Sequence, residues 1–132
     1  MIAALFQAML PSRHTTPSRA EMPMITFNCT IQEGIVPEDI RPRLASELAR
    51  ITTGFVGGDP EEVSVNWIEI PHGFGFRGGR LSTTSAVRGE IPPGLQQETR
   101  VELMKSIQDM WMDVTGCTTD ELVVSARDRR DN

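Results

Sequence analysis

Few side chains in this sequence can move a proton or attack a carbonyl. There is no tyrosine, and Lys105 is the single lysine, so Schiff-base chemistry has one side-chain candidate. His14, His72, Cys29 and Cys117 are the only histidines and cysteines, and they form no zinc ribbon or finger pattern. His72, between Pro71 and Gly73, belongs to the one residue type that titrates near neutrality and could act as an acid. A solvent-facing turn histidine is the blander reading of the same position. The cysteines read as small buried hydrophobes, or as one disulfide that no secretory signal supports.

Arginine is the natural partner of a carboxylate-bearing ligand, because its planar fork donates two parallel hydrogen bonds. Arg88 is expected at the carboxyl end of a strand, where β-α-β sites gather. Arg77 and Arg80 flank the Gly78-Gly79 turn of the glycine-rich region Pro71 to Gly79, which lacks the Lys-Ser/Thr and following helix of a phosphate loop. Asn66 sits on a predicted strand and can donate to a developing enolate oxygen. Each of these also has a surface reading. Arg41, Arg43 and Arg50 read as solvated helix residues, Glu69 as a structural acid, and Trp67, Trp111, Phe74 and Phe76 as core or subunit contacts.

The elements that must position these residues follow from periodicity. Met24 to Ile31 alternates as a half-buried strand. Val36-Pro37-Glu38-Asp39 opens a helix in which Ile40, Leu44, Leu48 and Ile51 share a face, and Gly54 is expected to stop it. Val63, Val65 and Trp67 alternate as a second strand. A second round comprises a small-residue strand from Thr83 to Arg88, a helix from about Leu95 to Val114 closed by Thr115-Gly116, and a strand from Leu122 to Ala126. The apolar face of that helix is Val101, Leu103, Met104, Ile107, Met110 and Trp111. The plan is β-α-β twice, an internal repeat of about 55–60 residues. It predicts an α+β, two-layer fold: a four-stranded mixed sheet with both helices on one face. The other face then needs covering, and further subunits are the expected cover.

Composition narrows the partners. The chain has 132 residues, 39% hydrophobic and 23% charged, with a formal net charge of −5. That describes an ordinary globular domain, argues against a basic nucleic-acid surface, and leaves no apolar stretch long enough to span a membrane. Residues 1–22 differ from the rest: an apolar run from Ile2 to Leu10, then a Ser/Thr-rich stretch with no acid before Glu21. They read as an extension, either an early start codon or a transit-like segment. The chain divides into this extension, a domain over residues 23–128, and a charged tail over 129–132.

Met22-Pro23-Met24-Ile25-Thr26-Phe27, opening the first strand of a duplicated β-α-β plan, resembles the tautomerase superfamily. In that family an exposed N-terminal proline is the catalytic residue. The segment Val65-Asn66-Trp67-Ile68-Glu69-Ile70-Pro71-His72-Gly73-Phe74-Gly75-Phe76-Arg77-Gly78-Gly79 is similar in spacing to the cis-3-chloroacrylic acid dehalogenase-like branch. The resemblance runs from Pro23 to about Asp128. It implies a tautomerase-like fold, a homotrimer, and Pro23 as general base without cofactor or metal. That base would act on a small carbonyl or carboxylate substrate held by Arg88, Arg77, Arg80 and Asn66. It does not imply dehalogenation. The branch's paired substrate arginines fall on Pro92 and Leu95, its helix histidine near Ile51 or Thr52, and its last-strand tyrosine on Ser125. Its catalytic glutamate belongs to a C-terminal extension beyond the end of this sequence.

The chemistry fits a free proline nitrogen. An ordinary α-amino group titrates at about 7.7–8.0, and apolar surroundings or a nearby cation such as Arg88 lower that value. With Met22 attached, the same nitrogen is an amide without basicity. Two functions therefore compete: a cytoplasmic (or, with a transit segment, organelle-imported) tautomerase, and a non-catalytic trimeric binding or assembly protein with Pro23 blocked by the extension.

Overall fold

A computed structural model describes residues 25–130. Eight elements follow in order: β1 (Ile25–Gln32), α1 (Arg41–Val56), β2 (Val63–Ile70), β3 (Phe76–Arg77), β4 (Arg80–Leu81), β5 (Ser85–Ile91), α2 (Gln97–Thr115) and β6 (Leu122–Asp128). Single 3-10 turns, Pro60–Glu62 and Thr119–Glu121, lead into β2 and β6. The main sheet runs β2-β1-β5-β6, with β1/β2 and β5/β6 parallel and the central β1/β5 pair antiparallel. This is the mixed sheet predicted from the sequence, with two helices against it.

The core lies between the helices and one sheet face. Ile25, Phe27, Cys29 and Ile31 from β1 and Val87 and Ile91 from β5 meet Leu44 and Leu48 of α1 and Leu103, Ile107 and Trp111 of α2. Alternation sends the intervening residues to the opposite face, which no element among the described residues covers. Gly89 of β5 makes room for the Phe27 ring, since a Cβ there would stand 2.5 Å from it.

The elements differ from expectation at several points. The helix expected to open at Val36-Pro37-Glu38-Asp39 starts at Arg41, after a 3-10 turn over Glu38–Ile40, and β6 runs past Ala126 to Asp128. Gly54 does not end α1; the helix continues to Val56 and stops at Gly57, which has a φ of 86° and donates to the Thr53 carbonyl. Phe55 and Val56 pack against the core, and that burial offsets the roughly 1 kcal/mol a mid-helix glycine costs. β5 starts later and runs on to Ile91, because its ladders to β1 and β6 continue past Arg88. Val101, expected on the apolar face of α2, is half exposed; Leu103, Ile107 and Trp111 carry that face.

The glycine-rich segment forms the β3–β4 hairpin around Gly78 and Gly79, both at positive φ, a two-residue turn that suits right-handed strand twist. The hairpin is tied to the sheet through buried Gln32, whose amide donates to the Ser82 carbonyl. Gly75 is needed there, as a Cβ would meet both groups. No helix among the described residues is long and apolar enough to cross a membrane.

Candidate active site

At the end of the sheet where β1 and β2 begin and β5 finishes, a cavity of about 200 Å³ opens. Ile25, Val56, Val63 and Pro92 give it apolar walls, and Asp59 and Glu62 bring carboxylates. Register makes this juxtaposition. Ile25 pairs with Val63, and the antiparallel ladder in which Thr26 meets Glu90 carries Pro92 alongside the start of β1. Gly57 and Gly58, both at positive φ, turn the chain out of α1 across the cavity's rim.

The two acids have different duties. Asp59 caps the 3-10 turn, its carboxylate accepting from the Glu61 N–H at 2.9 Å. The Glu62 carboxylate makes no hydrogen bond or ion pair among the described residues, so it can face a cationic centre in the cavity. The lining contains no arginine, lysine or histidine. Pro92 occupies the wall where the dehalogenase-like branch would place an arginine.

Pro23 lies outside the described residues. The other sequence-predicted residues fall into two groups. Asn66 and Arg88 come together on the uncovered sheet face, in one row running Asn66–Asn28–Arg88–Ser125 across all four strands. Asn66 Nδ2 donates to Asn28 Oδ1 at 3.0 Å. Arg88 is mid-strand rather than at a strand end. It sits opposite Asn28, three residues along β1 from Ile25 and therefore about 10 Å from the cavity's level. Arg77 and Arg80 pair with one another in the hairpin at the far end of the sheet. Arg77 Nη1 donates to the Asp120 carbonyl at 2.8 Å, fastening the hairpin to the turn before β6. Within one chain, neither group reaches the cavity. His72 lies in the exposed loop before the hairpin.

Other expectations resolve into structure. Arg41 is not a solvated helix residue. It donates to the Val36 carbonyl, pairs with Glu69 at 2.7 Å, and stacks 5.6 Å from the Trp67 ring centroid. Glu69 is thus the structural acid expected, and Trp67 packs against Trp111 at 5.9 Å in the core. Cys29 and Cys117 are free thiols. Burial pushes the Cys29 thiol up to about 12, which leaves it inert at neutral pH. Of Ile51 and Thr52, near which the branch's histidine would fall, Thr52 is fully buried and Ile51 packs partly buried against the core.

Sequence reasoning missed Glu62, Asp59 and the cavity itself. The acidic run Asp59-Pro60-Glu61-Glu62 stands directly before β2, and nothing local reveals that Pro92 lies across from it. It also missed Arg100, whose guanidinium donates to the Ala126 carbonyl and to Asp128, each closer than 2.9 Å, tying α2 to the end of β6.

A two-layer fold of duplicated β-α-β units, with a cavity where the first strand begins, defines a class of small α+β proteins. Comparison with solved structures agrees. Native Ps01740 is 31% identical, with a TM-score of 0.75, over 79% of this chain and 93% of its own. N1, a member of the cis-3-chloroacrylic acid dehalogenase family, is 16% identical at a TM-score of 0.74, covering 79% and 74%. A fused 4-OT described as a symmetric trimer is 17% identical at a TM-score of 0.69, covering 79% and 85%. No protein-family model and no curated protein matches the sequence. The chain belongs to the tautomerase superfamily.

Proposed function

We propose that this protein is a cofactor-independent tautomerase of the cytoplasm in which Pro23, released as the N-terminus by removal of residues 1–22, is the general base. The observation that carries this reading is the cavity at the start of β1. Two peptide steps separate Pro23 from Ile25 in the sequence, a reach of about 7 Å at most. A neutral secondary amine in that reach takes the hydroxyl proton of an enol and returns it to carbon. Apolar walls from Ile25, Val56 and Val63 exclude water, and Glu62 stabilises the ammonium formed in between.

The substrate carboxylate needs a cation that the cavity's own lining does not contain. A homotrimer supplies one from a neighbouring subunit, and the hairpin arginines Arg77 and Arg80 suit that role. The hairpin and the loop before it carry exposed Phe74, Phe76 and Leu81, apolar surface suited to burial on a second copy. Arg88 and Asn66, on the uncovered face, would then lie at the trimer's centre and order the interface.

The test compares the chain beginning at Met1 with one beginning at Pro23, after circular dichroism and light scattering establish a common fold and assembly. Ketonisation of phenylenolpyruvate is expected only from the chain beginning at Pro23. Equal rates from both would overturn the assignment. The rival reading, a non-catalytic trimer, draws its support from the missing cation, and retention of residues 1–22 in protein from its native source would favour it.

A further inference from the structure

The fold contains the candidate site's frame twice. Ile25 opens β1 and pairs with Val63, the first residue of β2; Ser85 opens β5 and pairs with Leu122, the first residue of β6. Gly57 ends α1 and Gly116 ends α2, both at positive φ. Glu62 closes the turn before β2, and Glu121 closes the turn before β6. By this correspondence Thr83 holds the place of Pro23, two residues before the strand. At the matching position, at the other end of the sheet, lies a second cavity of about 210 Å³.

Thr83 has no free amine, so this cavity cannot repeat proline chemistry. Its walls indicate what it can hold. Ile35, partly exposed, and behind it the buried Val36 and Trp111 make its apolar side. The Ser85 hydroxyl belongs to a residue only 3% exposed, lines the cavity, and has no hydrogen-bond partner among the described residues. Glu121 adds a carboxylate that accepts from the Thr118 N–H at 2.9 Å and from the Thr83 hydroxyl at 3.3 Å. Those bonds, the backbone one foremost, hold its carboxyl below the ordinary range, so it is ionised at neutral pH. Thr115 and Gly116 bring in the carboxyl end of the 19-residue α2, the negative end of its dipole, and no basic residue occupies its last turn. No lysine, arginine or histidine lines the cavity; Arg77 contacts the Asp120 carbonyl but is not part of the wall.

We propose that this cavity, framed by the end of α2 and the start of β5, binds a small organic cation: a flat apolar ring carrying a protonated amine. The ring lies against the partly exposed Ile35, over the buried Trp111 and Val36, and the ammonium donates to Glu121 and the Ser85 hydroxyl in the field of the helix end. The site is independent of the role given to Pro23, and none of its readouts is tautomerase activity.

The test titrates the full-length, nitrogen-15-labelled protein with benzylamine, benzyl alcohol and benzoate. Benzylamine is expected to give saturable amide shifts concentrated in residues 83–85 and 115–121, with benzyl alcohol weaker and benzoate without effect. Glu121→Gln keeps an oxygen acceptor for Thr118 while removing the charge. It should weaken benzylamine about tenfold, a charge-assisted bond becoming a neutral one, and leave benzyl alcohol unchanged. Cys117 lines the same cavity and Cys29 is buried, so alkylation of Cys117 by iodoacetamide, followed by intact mass, should slow as benzylamine saturates. Absence of saturable shifts at millimolar benzylamine would overturn the proposal. So would equal binding of benzoate, indifference to Glu121→Gln, or shifts concentrated around Ile25, Val56 and Pro92.

Discussion

Thr52 carries a hydroxyl that no acceptor reaches, on a side chain with no exposure. A buried unpaired hydroxyl forfeits its hydration without return, so an isosteric apolar replacement should help. Thr52→Val is expected to raise stability by about 1 kcal/mol, read as a higher urea midpoint at unchanged slope. A lower midpoint would mean the hydroxyl has a partner in solution. At Glu62 the sign of an electrostatic effect can be worked out beforehand. A carboxylate beside an amine favours the ammonium and raises the amine's pKa; removing it lowers that pKa. In the chain beginning at Pro23, Glu62→Gln should therefore move the acid limb of the rate profile to lower pH. Movement to higher pH, or none, would detach Glu62 from the base.

At the scale of elements, Gly89 and Phe27 form a close joint between the two central strands. Gly89→Ala places a methyl 2.5 Å from the Phe27 ring, and overpacking of that kind costs about 1–3 kcal/mol in a urea melt. The Thr118–Glu121 capping box sets a pH dependence. Glu121 has a lowered pKa in the folded state, so its contribution is complete above the unfolded carboxylate's range and is lost as pH falls through the folded value. Thr118→Ala should raise the Glu121 pKa toward the ordinary range, observable by carbon-13 titration of its carboxyl.

These elements were legible because alternation and helical spacing are local. Ile25, Phe27, Cys29 and Ile31 alternate in the sequence and are buried together in the structure. The end of α1 was misread at Gly54, because what carries the helix on is the packing of Phe55 and Val56, which no local signal reports. The candidate site was legible only in part for the same reason. Asn66 and Arg88 share a row because two ladders align them, and Glu62 faces Pro92 because β1 and β5 run antiparallel. Arg41 looked like surface because its partners, Val36, Glu69 and Trp67, converge only when α1 packs on β2.

At the scale of the molecule, the uncovered sheet face is the surface on which assembly can be tested. Ile68 and Val123 are 46% and 47% exposed there, on the two outer strands flanking the polar row. A trimer closed over this face buries both. Ile68→Glu should then lower the mass seen by light scattering to that of one chain, with the fold retained by circular dichroism; an intact trimer would put the interface elsewhere.

The antiparallel pairing of β1 and β5 has a numerical consequence. It sets the two halves of the chain head to tail, so a threefold ring of such chains carries two near-equivalent stations per chain, six in all. Only the half that begins with Pro23 can present an N-terminal secondary amine at its station; the other begins with Thr83. A reagent that titrates secondary amines therefore has a ceiling of one equivalent per chain, alternating around the ring with stations that stay silent to it.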